Sequence, residues 1–466
     1  MIVRDGAVLN PLSETDIEKI HSTSVRLLEE VGVEFSHEKA VQVFEDNDVR
    51  VEGKSVYLSS SMLDRALGKV PSHFTIHARN PDNDVEVNDN NTILAPGYGA
   101  TFVKDLDNGR RKASYRDYLN LTKLASASDY LDVLGGVIVE PNDISEDVKH
   151  AKMFFAGAKY SDKCLMGSAM GEKKAGDCLE MARILFEEEE LIDDRPVLVS
   201  LINTNSPMKY DRRMAGALVK YAEYNQPVAI TSGAMAGTTA PMSLAGTLVQ
   251  ENCEVLAGIV LTQLINPGAP VFYGPGASIT DMKTAGTAIG SPEYAKLISA
   301  GAQLSRYYGI PSRASGALTD SLNTDAQAGY ESMMSLMSGV NSGLNFIIHA
   351  AGILEGFQTT SYEKFMVDDE IMGMIDDYQT SMEISGETLA EEVIREVATD
   401  SGHYLNSQYT LDHMKDFREP FISNRTSEKP VEKEANEKWK EIISDFSEPY
   451  LNPVVEEQLE DYIEQL

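Results

Sequence analysis

The chain has 466 residues, enough for roughly three average domains or one large α/β fold with extensions. Its 40 Lys plus Arg stand against 73 Asp plus Glu, a formal charge of −33 that would repel a nucleic-acid backbone or an anionic membrane over most of the surface. Three scattered cysteines, Cys164, Cys178 and Cys253, make neither a disulfide framework nor a zinc motif. With no apolar leader and no long uncharged apolar run, the expectation is a protein of the reducing cytoplasm.

Residues 1–92 read as a helical and then short β extension. "LSETDIEKIHSTSVRLLEEVGV" opens with Ser13 three residues before Asp16, a capping-box variant, and places Ile17, Ile20, Leu27, Leu28 and Val31 near helical spacing. "SHEKAVQVFE" and "SSSMLDRALGKVP" read as two further helices led by serine caps. "HFTIHARNPDNDVEVNDNN" alternates as a hairpin does, with its turn at Asn80 to Asn83.

From residue 93 a rhythm sets in. Eight short apolar runs ("TILAPGYGA", "LDVLGGVIVEPND", "KCLMGSAMG", "RPVLVSLINTNSPM", "QPVAITSGAMAG", "APVFYGPGAS", "IPSRASGALTDS", "LNFIIHAAGILEG") alternate with eight stretches of helical spacing, among them "EKKAGDCLEMARILFEEEE". Buried strands alternating with helices predict a parallel sheet with crossover helices, and eight is the number that closes a (β/α)8 TIM barrel over residues 93–380. The competing arrangement is an open doubly wound sheet, weakened by the lack of a G-x-G-x-x-G after any strand. Residues 381–466 form a C-terminal helical extension. In it "GETLAEEVIREVATDSGHYL" is an acidic amphipathic helix, "REPFISNRTSEKP" a linker, and "EKEANEKWKEIISDF" a charged helix around Trp439, the single tryptophan. Such a tail wraps the barrel or joins subunits of a homo-oligomer.

In a closed barrel, catalytic groups gather at the C-terminal ends of the strands and in the loops beyond them. That rule selects Tyr98, Glu140, Asn142, Asp143, Ser168, Met170, Asn203, Asn205, Ser232, Met235, Tyr273, Ser278, Arg313, Ser315, Asp320, Ser321, His349 and Glu355. Asn142 with Asp143, and Asp320 with Ser321, also suit turns and helix caps, and Met170 and Met235 suit core filling. Arg313 and His349 stand apart. A guanidinium inside a strand that should be buried, and an imidazole directly after "NFII", each need a partner that a bound anionic group would supply. No G-x-S-x-G, G-x-x-x-x-G-K-[ST] or H-E-x-x-H occurs, and of the eight histidines only His349 falls in the expected mouth, so no metal site is expected.

"GALTDS" followed by "DAQAGYES", with "PGYGA", "SGAMAG" and "YGPGASITDMKTA", resembles the trimethylamine:corrinoid methyltransferase family, in the branch without pyrrolysine known for glycine betaine demethylation. The resemblance runs nearly the whole chain and is most specific in the second half of the repeat. It implies a (β/α)8 barrel that moves a methyl group from a methylated amine to the cobalt of a separate corrinoid protein, with cobalamin carried by that partner and no cofactor bound permanently. The pyrrolysine of the trimethylamine enzymes would fall within "SGALTDS", near Leu318, where this chain has standard residues only. That departure favours a quaternary amine, glycine betaine first, with proline betaine, carnitine and γ-butyrobetaine as alternatives. A quaternary ammonium expels a neutral amine, so no acid is needed. The chain's tasks become binding, orientation and drying. On that reading Arg313 and His349 clamp the carboxylate, Tyr98 and Tyr273, with Phe346 or Tyr362, face the cation, and Glu140, Asn203 and Asp320 complete the pocket. Two rival readings are a lyase or glycosidase using Glu140, Asp320 and Glu355, and a non-catalytic carrier of quaternary amines.

Overall fold

A computed structural model of the chain describes residues 1–187, 195–399 and 402–466. Its centre is a set of eight short strands: β1 (Asn91–Leu94), β2 (Val133–Gly135), β3 (Cys164–Met166), β4 (Leu198–Asn203), β5 (Val228–Thr231), β6 (Val271–Gly274), β7 (Arg313–Ser315) and β8 (Phe346–Ile348). Each is followed by a helix: α1 (Tyr115–Ala127), α2 (Lys149–Tyr160), α3 (Glu172–Phe186), α4 (Arg212–Glu223), α5 (Leu244–Ile265), α6 (Pro292–Tyr308), α7 (Ala326–Asn341) and α8 (Tyr362–Gln379). The sequence expectation extended α3 through Glu188 to Glu190, which lie outside the described residues.

The strands β2 to β6 pair in parallel and in chain order. A second parallel ribbon joins β7 to β8 and β8 to β1. Two local links connect the ribbons. The Tyr273 N–H donates to the Pro311 carbonyl at 2.8 Å beside a Tyr273–Ser312 bridge, and the Asp132 N–H donates to the Leu94 carbonyl at 2.9 Å.

Helix starts follow from local chemistry. Ser114 and Asp117 form a reciprocal capping box on α1, and Ser291 caps α6, whose first residue is Pro292. Gly309 ends α6 in a left-handed conformation (φ 67°) that L side chains avoid. The 22-residue α5 is long and apolar enough to cross a membrane, yet it carries Glu251 and Glu254 and buries nearly every residue from Thr247 to Gln263 in the protein core.

Alternation along the strands splits the core in two. The larger cluster lies between strands and helices; the smaller takes the other face, with Ile93, Val133, Met166, Val199, Leu201, Ala229, Phe272, Phe346 and Ile348. The expected hairpin is present, Phe74–Ile76 against Val85–Val87 around a turn capped by Asn80. Its Ile76, Ala78, Val85 and Val87 pack into that inner cluster, so the hairpin closes the strands' N-terminal end rather than standing apart in the extension.

Other elements differ from the expectation. The second N-terminal helix, Glu38–Asp46, has His37 rather than a serine at its cap, without a capping bond. Two further sheets lie beyond the C-terminal ends of the strands. One pairs Phe102–Asp105 with Gly109–Lys112 and with Thr359–Ser361, and the other joins Met235–Ala236, Ser278–Thr280 and Thr287–Ala288. In the tail, the acidic helix is confined to Glu391–Thr399, with Asp400 and Ser401 outside the described residues. The helix Val431–Asp445 lies on α8, where Trp439 stacks on Tyr362 at 4.5 Å and donates its indole N–H to Glu363 at 3.0 Å.

Candidate active site

The register of β7 decides where Arg313 points. Arg313 pairs with Phe346 and Ser315 with Ile348, and both partners belong to the inner cluster, so Arg313 and Ser315 face inward while Ala314 packs toward the helices. Arg313 is 2% exposed. One terminal nitrogen lies 3.5 Å from the Thr231 hydroxyl at the end of β5, and Nε has no partner. No carboxylate pairs with it among the described residues. Burial lowers its pKa to about 10, with the Tyr294 and Tyr98 hydroxyls opposing the shift, so the guanidinium stays charged at neutral pH. A buried cation without a counter-ion is costly, on the order of 3–5 kcal/mol in cases where one partner of a buried pair is removed.

His349 follows β8 directly, with a positive φ of 60°. Its Nε2 lies 3.0 Å from the Tyr98 carbonyl, which only accepts, so Nε2 carries the hydrogen and Nδ1 accepts from the Ser315 hydroxyl at 2.9 Å. Burial, helped by Arg313, pushes its pKa down to about 3. The ring is therefore neutral with both nitrogens engaged, and it holds Tyr98 and Ser315 in place. The expectation that it clamps a carboxylate beside Arg313 is corrected on that ground.

Tyr98 lies against Gly136, where an added Cβ would come within 2.7 Å of the tyrosine ring, so a glycine is required. Burial raises its hydroxyl to about 12, with Arg313 opposing. The ring stands edge-on to His349 at 6.5 Å, and Phe357 packs on His349 at 4.9 Å. Asn203 ends β4 in register with Thr231, which brings this partly buried residue to the same inner level. Arg313, Asn203, Tyr98 and His349 thus converge, joined by Thr231, Ser315, Tyr294 and Phe357.

Six other expected site residues lie elsewhere or are engaged. Tyr273 faces outward. Its hydroxyl donates to Asn252 of α5 at 3.0 Å and its ring meets Tyr308 of α6 at 6.0 Å. Phe346 faces inward but opens β8 at the closed end, packed on Phe272, which in turn touches Phe74 of the plugging hairpin. Asp320 accepts the backbone N–H groups of Ile289 and Gly290, each at 3.0 Å, the loop-fixing role open to it from the start. Glu140 is ion-paired with Lys149 at 2.6 Å. Tyr362 lies on α8 and donates to Asp117 at 3.0 Å, and Glu355 pairs with Arg110 at 2.7 Å. The three carboxylates of the lyase or glycosidase reading are therefore each committed.

Thr231, Tyr294 and Phe357 were not singled out by sequence reasoning. Only Phe357, a lone aromatic in "ILEGFQTT", offered a signal. The assembled groups provide a fixed positive charge, small dipoles and aromatic faces. A neutral, doubly bonded imidazole and tyrosines with raised pKa values are poorly suited to general acid–base work near pH 7.

The chain is 46% identical over 464 residues to the glycine betaine methyltransferase of Desulfitobacterium hafniense (strain Y51), covering 98% of this chain and 97% of that one. It is 31% identical over 472 residues to the proline betaine:corrinoid methyltransferase of Eubacterium limosum, with 97% and 96% covered. The crystal structure of the Methanosarcina barkeri monomethylamine methyltransferase (MtmB) shares the fold, with a TM-score of 0.55 at 11% identity over 94% of this chain and 89% of that one. A family model described as trimethylamine methyltransferase (MTTB) matches residues 1–466, and the chain belongs to that family of methyltransferases.

Proposed function

We propose that the protein transfers a methyl group from glycine betaine to the cobalt of a separate corrinoid protein. The observation that carries this reading is Arg313, a buried, charged guanidinium on the inner face of the strands that has no ion-pair partner among the described residues. Such a group calls for a small anion, and a betaine carboxylate supplies it through charge-assisted hydrogen bonds. The same positive charge repels a quaternary nitrogen, so the trimethylammonium end turns away from Arg313 toward the faces of Tyr98 and Phe357. Aromatic faces suit a donor that loses its positive charge in the reaction, since a carboxylate there would hold the substrate more tightly than the transition state. The curated relative named for glycine betaine supports this choice over proline betaine, carnitine or γ-butyrobetaine.

The corrinoid of the partner supplies the nucleophile that accepts the methyl group. This chain's part is to hold the carboxylate, exclude water and present a surface to the partner. Exposed Met170, Met242, Met282 and Leu322 lie on the loops after β3, β5, β6 and β7 and suit contact with a docking protein. We further infer that the eight strands close into a (β/α)8 barrel over residues 93–380, on the support of the Asp132–Leu94 and Tyr273–Ser312 links. Residues 1–92 and 381–466 flank it, in a cytoplasmic homo-oligomer that keeps no cofactor of its own.

The test is anaerobic incubation with glycine betaine and the reduced corrinoid protein, following the cobalt spectrum. The Co(I) bands give way to those of methylcobalt(III) within minutes. The absence of any spectral change with every betaine tried ends this reading.

A further inference from the structure

The chain leaves β8 through a run of uncommon backbone. Glu355, Gly356 and Phe357 follow one another at φ 54°, 58° and 74°, all in the left-handed region. Glycine enters that region freely, whereas a glutamate and a bulky phenylalanine do so only where their surroundings hold them. Strain of this kind persists where the structure over-determines it, and it gathers at functional sites.

Three backbone bonds and one carboxylate hold the run. The Glu355 N–H donates to the Ser321 carbonyl at 3.0 Å and the Gly356 N–H to that of Thr319 at 3.2 Å, both in the loop after β7. The Gln358 N–H turns back to the Glu355 carbonyl at 3.3 Å. The Glu355 carboxylate accepts from Arg110 Nε at 2.7 Å and from the Thr359 hydroxyl at 2.8 Å. Its side chain is 11% exposed, so the pair with Arg110 is better shielded than one on the open surface. Arg110 lies on the strand Gly109–Lys112, opposite Lys104, and its guanidinium covers the Phe102 ring at 3.6 Å. Lys104 in turn donates to the Leu322 carbonyl at 2.7 Å and to the Asn323 side chain at 2.6 Å. The hairpin after β1 is thereby fixed to the loops after β7 and β8 together.

What this arrangement sets is the place of one ring. Phe357 ends the run and packs on His349 at 4.9 Å, and His349 is itself fixed by Tyr98 and Ser315. A phenylalanine side chain has no polar atom to anchor it, so its backbone decides where the ring stands. An ammonium is attracted to a ring face only within about 6 Å of the centroid, and methyl transfer requires the donor carbon to be held in line. We propose that Glu355 is a positioning residue for methyl transfer: pinned by Arg110 and Thr359, it keeps the Glu355–Phe357 run left-handed and so holds the Phe357 ring beside the ammonium end of the substrate. The inference rests on the reading of the site as a betaine pocket. Because Arg110 matches its charge, the carboxylate acts through the loop and leaves the ammonium to the aromatic faces.

Calorimetric titration with glycine betaine tests the coupling without any corrinoid protein. Phe357→Ala and Glu355→Ala each weaken binding by about fivefold, and the double variant loses no more than Phe357→Ala alone, because both changes take the same ring from its place. A carboxylate that merely stabilised the fold would disturb the pocket at large, and its loss would add to that of Phe357. With saturating glycine betaine and the reduced corrinoid protein, kcat falls by about tenfold in Glu355→Ala. Glu355→Gln, whose amide oxygen still accepts from Arg110 and Thr359, recovers most of that rate. Arg110→Ala alters a side chain that is 38% exposed, leaves the core untouched and reproduces the loss from the other side of the pair. A wild type that binds no betaine ends the betaine reading and this inference with it. A wild type that binds glycine betaine, with the Glu355→Ala and Arg110→Ala variants equal to it or with losses that add in the double variant, overturns the positioning role alone.

Discussion

Arg313 has two unfavourable features in the free protein: it is charged, and it is buried without a counter-ion among the described residues. If it is there to bind a carboxylate, function and stability pull in opposite directions at this one residue. Arg313→Met is then expected to melt at a higher temperature than wild type in the absence of substrate, because it removes the unpaired charge while keeping a similar length of apolar side chain. The same variant should lose about 2–5 kcal/mol of affinity for glycine betaine, the scale of losing one member of a buried charge pair. Tetramethylammonium, which has no carboxylate, should bind Arg313→Met at least as well as wild type. Calorimetric titration with both ligands and a thermal melt check all three outcomes. Since Arg313 titrates at about 10, binding to the wild type should hold through pH 9 and weaken only as that value is passed. A residue of purely structural importance would give lower stability and equal losses for both ligands.

The helix α5 shows how one element disciplines several loops. Glu254 accepts the hydroxyls of Ser206 and Ser232, each at 2.7 Å, that of Thr204 at 2.5 Å, and the Met208 N–H at 2.8 Å, which ties together the loops after β4 and β5. One helical turn earlier, Glu251 accepts the N–H groups of Gly276 and Ala277 through one oxygen and leaves the other without a partner. Burial raises Glu251 from 4.5 to about 7, opposed by those two amides and assisted by Glu254. The folded state therefore keeps a proton that the unfolded chain has released, and its stability falls as pH rises from about 4.5 to about 7. Glu251→Gln keeps the accepting oxygen and removes the charge, so it should be more stable than wild type at pH 8 and equal to it near pH 4.5. Glu254→Ala should cost at least about 3 kcal/mol, since several buried donors lose their acceptor together. Urea melts at the two pH values distinguish these outcomes.

The same elements mark how far the sequence could be read. The alternation of strands and helices is legible because strands covered on both faces appear as unbroken apolar runs, separated by helices with clear caps. For the same reason the phase of a strand is not legible. In "VFYG" both faces are apolar, so nothing in the four residues says that Phe272 faces inward and Tyr273 outward, and Tyr273 packs among the helices while Tyr98 stays on the inner side. Arg313 was legible, because a charge in such a run has no cheap explanation. The strands Phe102–Asp105 and Gly109–Lys112 are not legible because both contain charged residues, and the sheet that the first of them completes runs to Thr359–Ser361, some 250 positions away.

At the scale of the whole molecule, charge dominates. With 73 acidic side chains against 40 basic ones, 33 negative charges remain in excess whatever the local geometry. The surface pairs that do form, such as Arg50 with Glu52 and Arg395 with Glu391, are exposed and contribute little. Added salt acts on both populations, weakening the few attractive pairs and screening the many repulsive ones. The repulsive set is the larger, and it is spread over distances comparable to the screening length of about 10 Å at 0.1 M. Compaction of a like-charged chain costs more when that screening is removed. The melting temperature should therefore rise by several degrees between about 0.05 and about 1 M KCl, the opposite of what a fold held by surface ion pairs would do. Potassium chloride is the suitable salt, since sulfate strengthens apolar burial by itself and would mask the effect. A melting temperature that stays level or falls across that range would mean that the excess carboxylates are too far apart in the folded protein to repel one another.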